Sequence, residues 1–242
     1  ISRSLKKNIS FDFITKKNSP TIIKTRYVDN YTKNKVMGVY DINDNNLDRE
    51  DEKKFKEKIS KEISNYDLVL VVDYGHGLIT PNIVNIIEKK SKYLALNTQL
   101  NALNIHYHSI SKYKKADYIC VHDGELRHDY RDRNEITETL VKKLSKKINS
   151  ASVAITKGKK GSLLYKNKKF TYCPAFANKI VDRTGAGDTL LAVTSLCNKC
   201  NIPDEITLLI GNISAANTVS NMGTGEIIDR KSILKSIEYI LK

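Results

Sequence analysis

Three small residues and an acid, Gly185-Ala186-Gly187-Asp188, stand between the polar turn Asp182-Arg183-Thr184 and the apolar run Leu190-Leu191-Ala192-Val193. The apolar run predicts a helix, so the small residues fall at its N-terminus. Backbone N–H groups there have no partner inside the helix, and the helix dipole adds positive potential. Glycines let an anion approach those amides closely, so the stretch can hold a phosphate or the charge of a phosphoryl group in transfer. Asp188 stands beside it, placed to accept a proton from an attacking hydroxyl. The same string also serves as an ordinary glycine-rich helix start with an acidic first turn.

Two further stretches bear on the first. "ITKGKKGS", residues 155–162, runs from a strand into a glycine-containing turn. Strand ends of an open α/β sheet are where ligands bind, so Thr156, Gly158 and Gly161 can line a nucleotide there. A hairpin turn with solvated lysines would read the same way. "GNISAANTVSNMGTGE", residues 211–226, carries small residues that would let a helix pack against a flat base, with Asn212 able to contact an adenine.

The elements that must position these residues follow from periodicity. Residues 20–43 read as two extended runs around the polar turn "NYTKN", a β-hairpin. Phe55, Ile59 and Ile63 recur four apart, one face of a helix. "DLVLVVD", 67–73, is a continuous apolar run of the kind buried on both sides of a sheet. A helix follows from Thr80 as N-cap and Pro81 in the first turn. "YLALN", "YICV" and "SVAIT" predict short buried strands, with a helix marked by Ile136, Leu140, Leu144 and Ile148 between the last two. "GSLLY" and "FTY" predict a meander, and three helices near 187–199, 204–221 and 231–241 complete the pattern. Alternating strands and helices predict an α/β domain with a mainly parallel sheet flanked by helices. The early hairpin stands outside that alternation, as a flap or lid would.

Composition narrows the function classes. In 242 residues, 40% hydrophobic and 28% charged, the longest apolar run has strand length, which argues against a membrane span and for a cytoplasmic protein. The net charge of +14 invites a polyanionic partner, but most of the excess is lysine on the polar faces of predicted helices. A nucleic-acid surface would gather arginine and aromatic residues on one element, so that partner is disfavoured against small phosphorylated molecules. Cys197-Asn-Lys-Cys200 has metal-like spacing without a second pair, which favours plain reduced thiols. His106 and His108 have no carboxylate close by in sequence, so a metal site is not expected there. Arg127, Arg131 and Arg133 read as a solvated helix face, and alternation puts Lys24 and Arg26 on one face of the hairpin.

"DRTGAGD", "TKGKKGS" and "GNISAANTVSNMGT", in this order and spacing, resemble the ribokinase/PfkB family of carbohydrate kinases over essentially the whole chain. "TIIKTRYVD", "VVDYGHGLIT" and "NMGTGE" are most similar to its heptose-phosphate kinases, which often occur joined to a nucleotidyltransferase. The resemblance implies a ribokinase-like fold and ATP-dependent phosphorylation of a sugar or sugar phosphate, with Mg²⁺ as cofactor. It implies Asp188 as base, the amides of Gly185, Ala186 and Gly187 as anion hole, and Glu125 in "HDGELR" as the acid that organises Mg²⁺ through water. Asp182 is expected to shape the turn. Two positions depart from the pattern: His122 replaces an asparagine three residues before the glutamate, and "NTQ" at Asn97–Gln99 replaces a segment with a basic residue. In the family a Gly-Gly sugar segment and the first strands precede the lid, so the chain reads as one kinase domain, 1–242, lacking its N-terminal portion. A lid of this kind can serve as a homodimer contact. The rival readings are a fragment or nucleotide-binding pseudokinase without turnover.

Overall fold

The computed structural model describes residues 8–32, 34–177, 179–220 and 229–240. Its main sheet has six strands, β3 (Val69–Asp73), β4 (Leu94–Thr98), β5 (Ala116–His122), β6 (Ser150–Thr156), β7 (Ser162–Lys166) and β8 (Lys169–Cys173). They lie side by side in chain order. The first four are parallel, and β7 and β8 add antiparallel to the β6 edge. Two further strands, β1 (Ile23–Val28) and β2 (Lys35–Asp41), pair antiparallel as a sheet of their own. They are the expected hairpin.

Seven helices complete the described chain: α1 (Arg49–Glu62), α2 (Pro81–Lys90), α3 (Asp123–Tyr130), α4 (Thr137–Lys147), α5 (Ala186–Lys199), α6 (Asp204–Val219) and α7 (Arg230–Ile240). Thr80 caps α2, its hydroxyl accepting from the Ile83 amide, and Pro81 fills the first position where no N–H is needed. The helix read from Ile136 starts one residue later. Ile136 is its exposed N-cap, while Leu140, Leu144 and Ile148 are buried.

Successive side chains of a strand point to opposite faces, and here they sort into two cores. Leu94, Leu96, Ile119, Val121, Val153, Ile155 and Leu163 join Ile83, Ile87, Leu126, Leu140 and Leu144 under α2, α3 and α4. The intervening Ala95, Tyr118, Cys120, Ala154 and Leu164 pack with Leu190, Leu191 and Leu208 of α5 and α6. Gly211 brings α6 close to α5: a Cβ there would sit 2.5 Å from the Thr194 methyl. Its small size therefore serves helix–helix packing.

Candidate functional site

The C-terminal ends of the four parallel strands open into one cleft of about 1610 Å³. Asp73, Asn97, His122 and Thr156 line it from β3, β4, β5 and β6 in turn. The start of α5 and the middle of α6 close the far wall, and Lys24, Arg26 and Tyr40 of the hairpin reach its rim. Strand ends of an open parallel sheet are the expected ligand position. Gly185, Ala186, Gly187, Asp188, Thr156, Gly158, Gly161, Asn212 and Glu125 all lie on this one cleft. Residues 221–228, which hold "NMGTGE", fall outside the described residues.

The turn before α5 is fixed from three sides. The amides of Val181 and Asp182 donate to the Val219 carbonyl at the end of α6, at 2.8 and 3.2 Å. Asp182 accepts from the amide and hydroxyl of Thr184 and from the Lys35 ammonium of β2, the last at 2.8 Å. Burial alone would raise the Asp182 carboxyl, but Lys35 and Thr184 outweigh it and hold it well below the usual carboxylate range. Asp182 thus shapes the turn and ties the hairpin to it. Gly185 then takes φ +84° as N-cap of α5, a conformation that favours glycine. A Cβ at Gly187 would meet nothing within 4 Å, so this amide ridge is open to the cleft. Asp188 lies in the first turn of α5, where the Tyr74 hydroxyl donates to its Oδ2 at 3.2 Å.

The two glycines of the β6–β7 turn differ. Gly158, at φ +58°, would point a Cβ into open space. Gly161, at φ +84°, would drive one into the backbone of Cys173–Ala175. Gly161 is demanded by the fold of the turn, whatever binds beside it. Asn212 is buried, and its amide nitrogen donates to the Ser162 hydroxyl at 2.6 Å and the Leu208 carbonyl at 2.8 Å.

Glu125 occupies the third position of α3 and completes a capping box. One carboxylate oxygen accepts from the His122 amide at 2.8 Å, while the His122 ring nitrogen Nδ1 accepts from Gly124. The other oxygen accepts from the Leu100 amide at 3.1 Å. Burial raises its pKa, the two amides oppose that, and the charge of Asp188 adds to the rise. His122 therefore supplies the acceptor that an asparagine cap would supply. Gln99 donates its amide to the Asp73 carbonyl at 3.0 Å, and its neighbour Asn97 bonds the Cys120 carbonyl at 2.7 Å.

Two readings are corrected by the packing. His108 has a carboxylate near it after all: its Nε2 lies 3.0 Å from the Asp73 carbonyl and 3.9 Å from the Asp73 carboxylate, contacts that sequence distance hid. Burial lowers its pKa. Arg127 is not on a solvated face. It pairs with Asp123 at 2.8 Å and donates to the Arg133 and Glu135 carbonyls and to Thr137, joining α3 to α4. Among the described residues no group of three or more His, Cys, Asp or Glu is placed to hold a metal. The four cysteines are free. Sequence reasoning missed Asp73, Tyr74, Asn101 and Asn104. The one signal was their position just after apolar strands, at the end where ligands bind.

A layered parallel sheet with a small antiparallel flap, and a glycine-rich helix start at its strand ends, define a carbohydrate-kinase scaffold. The chain belongs to the pfkB family of carbohydrate kinases, whose model matches residues 4–231. Among curated proteins it is similar to Bifunctional protein HldE of Campylobacter jejuni (strain RM1221), 26% identical over 97% of this chain and 50% of that protein. Bifunctional protein HldE of Campylobacter fetus is 30% identical over 72% of this chain and 39% of that protein. The chain thus spans about half the length, or less, of these relatives. Its fold is that of Escherichia coli phosphofructokinase-2 (TM-score 0.70, 12% identity, 90% of this chain and 71% of that one). The Arabidopsis thaliana ribokinase complexed with ribose and ATP is likewise similar (TM-score 0.68, 20% identity, 91% and 70%).

Proposed function

We propose that this chain transfers a phosphoryl group from ATP to a hydroxyl of a sugar or sugar phosphate. The observation that carries the reading is the juxtaposition of Asp188 with the open amides of Gly185, Ala186 and Gly187 at the strand ends. Phosphoryl transfer leaves a protein little covalent work, so positioning and charge stabilisation must supply the rate. Asp188 takes the proton of the attacking hydroxyl, and the helix amides hold the charge of the moving group. Thr156, Gly158 and Gly161 line the nucleotide end, with Asn212 on the adenine side through its remaining oxygen; Lys24 and Arg26 face the acceptor end. The net charge of +14 suits a site that meets two anions.

The residues fit Mg²⁺ carried with ATP. Glu125 and Asp188 face one cleft, the charge of Asp188 raising the Glu125 carboxyl, and the described residues form no closed cage of ligands. Such a set suits an ion that keeps several waters and is held mainly by substrate phosphates. When bound with ATP it would neutralise charge on the bridging oxygens. In this reading residues 1–242 act as one kinase domain, the hairpin is its lid and a contact between two copies, and a nucleotidyltransferase is its fused or separate partner.

The test pairs calorimetric titration of Mg·ATP with turnover on a panel of sugars and sugar phosphates, for wild type and Asp188→Asn. General-base removal costs about 10²–10⁴-fold in rate and should spare ATP binding. Undiminished transfer by the variant would refute Asp188 as base. A folded chain that binds no Mg·ATP would favour the fragment reading.

A further inference from the structure

The turn that follows β3 carries more fixing than a surface turn needs. Asp73, at the end of β3, is buried, with its carboxylate accepting from the Tyr113 hydroxyl at 2.7 Å, from the Lys112 ammonium, and from the Gly75 amide at 3.0 Å. His108 holds the Asp73 carbonyl. Asn104, fully buried, donates its amide nitrogen to the Tyr74 carbonyl at 2.8 Å and to the Gln99 carbonyl at 2.8 Å. Gly75 sits at φ +68°, where a Cβ would stand 2.5 Å from the His108 ring. Both peptide units bracketing Tyr74 are therefore clamped by buried polar groups, although Tyr74 itself is 41% exposed.

The product of this clamp is one contact. The Tyr74 hydroxyl reaches across the cleft, 114 residues along the chain, to Oδ2 of Asp188. We infer that Tyr74 is a positioning residue for Asp188: its hydroxyl holds Oδ2 and leaves Oδ1 to receive the proton of the acceptor hydroxyl. Burial, and then the Asp188 charge, push the Tyr74 phenol up to about 12, so it stays a proton donor across the working range.

This inference rests on Asp188 acting as base, and two measurements separate the two claims. In Tyr74→Phe, which keeps the ring and its packing, kcat should fall about threefold or more while the KM for ATP stays level. Added to Asp188→Asn, the same change should cost no further rate. An unchanged kcat in Tyr74→Phe, or a loss that persists in full in the double variant, overturns the inference, even where Asp188→Asn lowers transfer. Undiminished transfer by Asp188→Asn overturns the base and the inference together.

Discussion

Replacing Gly161 by alanine should cost more stability than the same change at Gly158, three residues earlier in the same turn. At Gly161 the backbone takes φ +84° and ψ −138°, a region nearly closed to residues with a Cβ. That strain costs about 1–3 kcal/mol. The added methyl would also press on backbone, with the Pro174 carbonyl carbon 2.6 Å away and the Cys173 carbonyl oxygen nearer still. Backbone cannot swing aside as a side chain can, and Cys173 is paired with Ser162 at the end of β8. Overpacking of this kind adds about 1–3 kcal/mol, for a total of about 2–6 kcal/mol. At Gly158 the conformation is left-handed, φ +58°, and the methyl meets nothing. Its strain of about 1–2 kcal/mol is partly offset by about 0.4–1 kcal/mol from a stiffer unfolded chain. Urea unfolding followed by circular dichroism at pH 7 measures both, and titration with Mg·ATP measures the cleft. Gly161→Ala should lose about 2–6 kcal/mol of the roughly 5–15 kcal/mol margin of a typical domain. Gly158→Ala should stay within about 1.6 kcal/mol of wild type and bind Mg·ATP more weakly, because its methyl projects where the nucleotide is proposed to lie. Equal losses, or a harmless Gly161→Ala, would refute the reasoning.

Two further perturbations read the packing of the site. Lys35→Met removes the ammonium that ties the hairpin to Asp182; since Lys35 is 47% exposed, the stability loss should be about 1 kcal/mol or less. Hydrogen exchange across the hairpin strands should nonetheless quicken, and unchanged exchange would show that the tether does not restrain the hairpin. His108 has a pKa lowered from the ordinary 6.5, so as pH falls below 6.5 the unfolded chain takes up its proton before the folded one does. Stability is therefore lost on acidification through that window, by at most about 1.4 kcal/mol per pH unit from this group. His108→Gln should flatten the slope between pH 6.5 and the lowered value, and a slope equal to wild type would count against the assignment.

How much of this was legible beforehand depended on how local the cause was. The strands announced themselves because a sheet covered on both faces selects continuous apolar runs, as in Leu68–Val72 and Val153–Ile155. The cap of α2 was legible because Thr80 and Pro81 act within one turn. Gly185, Gly187 and Asp188 stood out because one helix start holds all three. The clamp around Tyr74 was not legible. Asn104, Lys112 and Tyr113 act on Asp73 or Tyr74 from 30 or more residues away, and no spacing rule links them. For the same reason Arg127 looked like surface, since its partners lie beyond the end of α3 in a loop whose course only the fold sets. The sequence could pair Gly158 with Gly161 but could not tell a glycine required by backbone from one that leaves room.

The salt bridge from Lys35 to Asp182 spans 147 residues. On a ribosome adding roughly 5–20 residues per second, Lys35 leaves the exit tunnel about 7–30 s before its anchor does. A lone two-stranded sheet is marginal in water. This one carries Ile23, Val28, Val36, Met37 and Val39 on exposed surface. Its edges and apolar side chains therefore face other nascent chains for the whole of that interval. The same spacing makes the hairpin-to-cleft tether a late event of biosynthesis: a chain halted before residue 182 would carry the hairpin with Lys35 and no Asp182 to hold it.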